Sequence, residues 1–115
     1  MQQELKNTAY IVLETEDSTI SINDSEDINE IINTLINART KKSEDITWEK
    51  SLLWVHLYDE EKTLITSVNI YFTISNSEKY GYARFMNEDN KNENIIEDYY
   101  YIENETLKKI LDKYS

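Results

Sequence analysis

The segment Ser51–Ile74, SLLWVHLYDEEKTLITSVNIYFTI, constrains the fold more than any other part of the chain. On either side of a charged turn, Asp59-Glu60-Glu61-Lys62, apolar residues recur at every second position. Side chains of a strand alternate between two faces, so Leu53, Val55 and Leu57 share one face of the first strand. Leu64, Val68, Ile70, Phe72 and Ile74, with Thr66 among them, share one face of the second. The opposite faces carry Trp54, His56 and Tyr58, and Ser67, Asn69, Tyr71 and Thr73. One apolar face and one polar-aromatic face predict an antiparallel sheet covered on one side.

The flanking chain supplies the cover. Residues 1–8 read as a polar lead-in, and Thr8–Thr15 and Ser18–Asn23 as a hairpin about Glu16-Asp17. Asp24-Ser25-Glu26-Asp27 starts a helix, with Asp24 or Ser25 as the cap and the acids at the positive end of the dipole. Ile28, Ile31, Ile32, Leu35 and Ile36 give this helix one apolar stripe, and Arg39, Lys41 and Lys42 suit its far end. Ser43–Lys50, with Trp48, reads as a linker to the central hairpin.

Asn76-Ser77-Glu78-Lys79 then turns the chain into Tyr80–Met86, where Ala83 and Phe85 oppose Tyr80, Tyr82 and Arg84. Asn87–Asn94 is a polar loop. Ile95–Glu103 is a last strand, with Ile96, Tyr100 and Ile102 on one face and Tyr99 and Tyr101 on the other. Asn104 caps a closing helix striped by Leu107, Ile110, Leu111 and Tyr114. The order β-β-α-β-β-β-β-α predicts one α+β domain over residues 1–115, a two-layer structure with both helices on one face of a twisted antiparallel sheet.

Composition narrows the function. The formal net charge of -11 repels phosphate backbones, so direct nucleic-acid binding is not expected and a partner protein with a basic surface is the better electrostatic match. Solubility alone also accounts for such a charge. The acids come in patches: Glu14, Glu16 and Asp17; Asp24, Glu26, Asp27 and Glu30; Glu44, Asp45 and Glu49; Asp59, Glu60 and Glu61; Glu88, Asp89, Glu93, Glu97 and Asp98. Most fall in turns and helix starts.

The absence of cysteine removes disulfides, thiol nucleophiles and cysteine-ligated zinc. With Gly81 the only glycine, glycine-rich phosphate cradles are excluded. Asn87–Glu97 lacks the spacing and turn glycine of a calcium loop, and neither a metal nor a cofactor is expected. No run is long enough to span a membrane. Residues 1–9 lack a basic region followed by an apolar stretch, so a cytoplasmic location is expected. A native start upstream of Met1 would open an extracytoplasmic, lipid-anchored alternative.

Paired in sequence, the strands project Trp54, His56, Tyr58, Tyr71, Tyr80, Tyr82, Arg84, Tyr99 and Tyr101 away from the helices. Tyr, Trp and Arg carry interface energy, so these residues, with Asp59, Glu60 and Glu61, are the candidate partner-binding set. Ordinary cross-strand packing of aromatics is the alternative. His56 is the only histidine and sits mid-strand with no acid or nucleophile at a recognisable motif spacing, which reads as a structural histidine in a non-enzyme.

Two stretches, INEIINTLINARTKKSEDI (Ile28–Ile46) and EDYYYIENETLKKILDKYS (Glu97–Ser115), resemble an uncharacterised domain family of Gram-positive cell-envelope lipoproteins. That resemblance implies an α+β fold and an extracytoplasmic binding role, with no catalytic residues to carry over. The leading expectation is an acidic inhibitor or immunity-type protein that occludes a basic site on a nuclease, a toxin or another nucleic-acid enzyme. The alternative is a ligand- or partner-binding accessory domain of an envelope lipoprotein. A homodimer through the aromatic face is compatible with both.

Overall fold

The computed structural model describes residues 5–40, 42–43, 51–71, 80–86, 99–103 and 105–114. The elements are β1 (Tyr10–Glu14), β2 (Thr19–Ile22), α1 (Ser25–Ala38), β3 (Lys42–Ser43), β4 (Ser51–Tyr58), β5 (Leu64–Tyr71), β6 (Tyr80–Met86), β7 (Tyr99–Glu103) and α2 (Glu105–Tyr114). They form the expected α+β architecture, an open antiparallel sheet with the helices packed on it. The strand order is β2-β1-β4-β5-β6-β7-β3.

The hairpins β1–β2, β4–β5, β5–β6 and β6–β7 pair as the sequence predicts. Pairing is not sequential throughout, however: β1 lies beside β4, from Tyr10 opposite Tyr58 to Glu14 opposite Trp54. Two ends of the expected linker and lead-in also differ. Lys42–Ser43 pairs with Tyr100 and Tyr99 as a short edge strand. Leu5, expected in a polar lead-in, is fully buried in the core, and the turn after it is closed by Thr8 bonding to the Leu5 carbonyl through both N–H and Oγ1. The expected loop Asn87–Asn94, the cap at Asn104, Trp48, Phe72 and Ile74 lie outside the described residues.

Helix α1 starts where its cap permits. Asp24 has extended backbone and accepts the Asp27 N–H at 3.1 Å, satisfying one of the otherwise orphaned amides of the first turn. The isoleucine stripe then faces the sheet: Ile28, Ile31, Ile32, Leu35 and Ala38 are buried, with Ile36 at the margin. They join Leu53, Val55, Leu57, Val68, Ile70, Ala83, Phe85 and Ile102 of the sheet and Leu107 and Ile110 of α2 in one core. Both helices feed this single core, so both cover the same sheet face.

At the C-terminal end of α1, Arg39 lies over the rings of Phe85 (4.9 Å) and Tyr100 (5.2 Å), which meet edge to face at 5.7 Å. The cation over two ring faces fastens α1 to β6 and β7. Arg39→Ala is expected to cost about 1 kcal/mol of stability, with Arg39→Lys recovering part of it. A denaturant midpoint series on the two variants checks this.

One apolar residue leaves the pattern. Between Leu57 opposite Thr66 and Tyr58 opposite Leu64 the register slips by one residue. Such a bulge sets two residues against one and resets the alternation. Leu64 therefore lies opposite Tyr58, a residue of the outer face, and is 48% exposed rather than buried with Val68 and Ile70.

Candidate functional site

The outer sheet face, opposite the helices, is laid out by register in bands that cross the strands. Nearest the β4–β5 turn come Tyr10, Tyr58 and Leu64. Next come Val12, His56, Ser67 and Met86, then Glu14, Trp54, Asn69 and Arg84. At the far end Tyr71, Tyr82 and Tyr101 lie abreast, followed by Tyr80 opposite Glu103. Tyr99 pairs with Ser43 at the β3 edge. By register, Trp54, His56, Tyr58, Tyr71, Tyr82, Arg84 and Tyr101 therefore share one face, and Tyr80 and Tyr99 take their places in β6 and β7. They form an aromatic band at each end with a mixed polar band between, not one continuous aromatic sheet.

The bands differ in what they leave accessible. At the far end Tyr82, expected as a contact residue, is buried at 9% exposure, and its ring lies 5.5 Å from that of Tyr101. Three tyrosines abreast shield the middle one. Asn69, also buried, donates to the Tyr71 hydroxyl at 3.2 Å. Toward the turn, Tyr10 and Tyr58 stack nearly parallel, 4.8 Å apart, each half-buried, beside the exposed Leu64.

The turn itself divides the predicted acidic trio. Asp59 Oδ1 accepts the N–H groups of Glu61 and Thr63, each at 2.9 Å, and Lys62 takes a left-handed conformation with φ of 66°. Asp59 thus shapes the turn, as short carboxylates do. Glu60 and Glu61 are exposed. With Lys6, Asn7, Thr8 and Ala9 they line an open depression of about 510 Å³ beside the stacked tyrosines.

Sequence spacing gave His56 no partner, yet the fold gives it two. Its Nδ1 lies 2.7 Å from Ser67 Oγ and its Nε2 lies 3.0 Å from Glu14 Oε1. A carboxylate only accepts, so Nε2 donates to Glu14, while Nδ1 and the serine hydroxyl share the second hydrogen bond. The ring is stacked almost parallel to that of Trp54, the planes 3° apart and the centroids at 5.9 Å. Ser67 was within reach of sequence reasoning, because the hairpin turn sets the β4–β5 register. Glu14 was not, because the β1–β4 pairing spans the whole of α1.

A serine, a histidine and a glutamate in line are also the parts of a hydrolytic triad. That chemistry further needs donors aimed at a developing oxyanion. Ser67 sits in the middle of β5, which is paired on both sides by β4 and β6, so the strand amides around it are engaged in the ladder. The two hydrogen bonds orient His56, whose ring lies against that of Trp54.

A second polar cluster was not anticipated. Asp27, grouped above with the acids of the helix start, is 5% exposed. It accepts Lys113 Nζ on both oxygens, at 3.2 and 3.0 Å, and the Tyr114 hydroxyl. It joins the start of α1 to the end of α2. The Tyr114 hydroxyl first, and then the Lys113 ammonium, hold its carboxyl below the usual carboxylate range. The same bonds push Lys113 and Tyr114 upward. The cluster lies in the helix layer, on the other side of the sheet from the outer face.

Among the described residues no group of His, Asp and Glu side chains is arranged to hold a metal ion, and no helix is long and apolar enough to cross a membrane. Comparisons with protein families, characterised proteins and solved structures find no significant match.

Proposed function

We infer that this chain is a non-catalytic acidic binding protein of inhibitor or immunity type, which occludes a basic site on a partner protein. The observation that carries this reading is the Tyr10–Tyr58 stack with exposed Leu64, rimmed by Glu60 and Glu61. Interfaces draw affinity from half-buried aromatic anchors and orientation from a charged rim. The net charge of -11 steers the molecule toward cationic surfaces. Such surfaces belong to nucleases, toxins and other enzymes that bind phosphate backbones, and the protein would compete with the nucleic acid rather than bind it.

A salt-graded pull-down with the intact chain tests the reading, with Tyr58→Ala/Leu64→Ser as the matched control. The expected result is a basic protein retained at low salt, released as salt rises, and bound about thirtyfold more weakly by the double variant, the loss typical of one interface hot spot of about 2 kcal/mol. Retention indifferent to salt, or equal in the variant, overturns it. The variant's melting temperature, measured alongside, separates lost contact from lost fold.

A further inference from the structure

The two edges of the sheet differ. At one, Lys42–Ser43 lies along β7. At the other, β2 pairs with β1 alone among the described residues. The hairpin register says which backbone groups of β2 are spare. Thr15 N–H donates to the Ser18 carbonyl at 2.8 Å, which makes Thr15 and Ser18 a hydrogen-bonded pair. Antiparallel pairs alternate, so Ile20 opposite Leu13 and Ile22 opposite Ile11 also turn their N–H and C=O groups toward β1. Thr19 and Ser21 turn theirs away from the sheet, and both residues are exposed.

Edge strands are normally blunted by lysine, proline, a bulge or an inward charge. Thr19–Ile22, TISI, has none of these. Instead it is bracketed by exposed acids, Glu16 and Asp17 before it and Asp24 and Glu26 after it. The bracket selects the occupant. A second copy laid antiparallel on β2 with the outward residues facing each other, Thr19 opposite Ser21, sets Glu16 of each chain against Asp24 of the other, and each chain carries a net -11. Like charges directly opposite each other destabilise a strand pair. A segment with an uncharged middle and lysine or arginine at both ends meets attraction at the same positions. Ile20, only partly buried against the core, leaves apolar surface at the edge for one of its side chains.

We propose that β2 is a strand-addition site for an extended, basic-flanked segment of a partner protein, bonded main chain to main chain through Thr19 and Ser21. The site adjoins the Tyr58 patch, since Tyr10 and Ser21 line one depression, but it rests on the edge backbone of β2 and not on the stacked rings.

The probe is a synthetic peptide of alternating threonine and valine with two lysines at each end. When it is titrated into the intact chain, the amides of Thr19 and Ser21 gain protection from hydrogen exchange, while those of Ile20 and Ile22, already paired, do not change. Ser21→Pro deletes an outward donor where an edge strand tolerates proline, and is expected to weaken binding about tenfold, as befits one backbone hydrogen bond. Exchange protection at Ile11 and Leu13 reports whether the variant's hairpin is intact. A glutamate-flanked peptide with the same middle needs no variant and is expected not to bind. Equal binding of the two peptides, or protection elsewhere than Thr19 and Ser21, overturns the proposal. So does protection of these amides that grows with protein concentration without peptide, the mark of a self-paired edge.

Discussion

Ile70→Ala is expected to destabilise the protein by about 3 kcal/mol, while Leu64→Ala stays within about 0.5 kcal/mol of the parent. The two residues lie on the same strand, an even number of positions apart, and simple alternation treats them alike. The bulge separates them. Ile70 is fully buried opposite Leu53 and Ala83, so truncation there loses transfer free energy and leaves a cavity that the helix layer closes only in part. Leu64, past the bulge, is 48% exposed and has little burial to lose. A domain of this size has roughly 5–15 kcal/mol in hand, so the Ile70 change consumes a large share of it. Urea unfolding checks the pair: the midpoint should drop sharply for Ile70→Ala and barely move for Leu64→Ala, with the slope unchanged in both. Equal shifts would place Leu64 back in the core.

The same contrast explains what was legible in the sequence. Face parity is local. Alternation along β4, β5 and β6 and the 3.6-residue stripe of α1 assigned Val55, Ile70, Ala83, Phe85 and Leu35 to the core, and the structure buries all of them. Strand order is not local. The pairing of β1 with β4 joins strands separated by β2, α1 and β3, and no residue spacing encodes it. The consequences follow the same division. His56 with Ser67 was readable from one hairpin; His56 with Glu14, and Asp27 with Lys113 and Tyr114, join elements far apart in the chain. Tyr82 was read as a contact residue because its face is right, and it is buried because two tyrosines flank it on neighbouring strands.

Asp27→Asn is expected to flatten the pH dependence of stability at both ends, although Asp27 looks in the sequence like any acid at a helix start. Its carboxyl is held below its ordinary value of 3.8, mainly by the Tyr114 hydroxyl and then by Lys113. A carboxylate whose folded value is depressed contributes stability that is complete above the unfolded value and is lost as pH falls through the folded one. Tyr114 and Lys113 are raised from 10.0 and 10.5, chiefly by their hydrogen bonds to Asp27. Groups whose folded values are raised contribute stability that is complete below the unfolded values and is lost as pH rises through the folded ones. The cluster therefore stabilises fully between about pH 4 and about pH 10 and weakens on both sides. The asparagine variant keeps a polar group of the same shape but no charge, so it loses the plateau and both limbs together. Melting temperatures across pH should show the parent well above Asp27→Asn at neutrality and the gap closing in acid and in alkali. Lys113 is more than half exposed, so salt should narrow the gap only in part, because the Tyr114 hydrogen bond is not an ion pair. A gap that is constant from acid to alkali would mean that Asp27 contributes packing and no charge, and that the two helix ends are joined by the core alone.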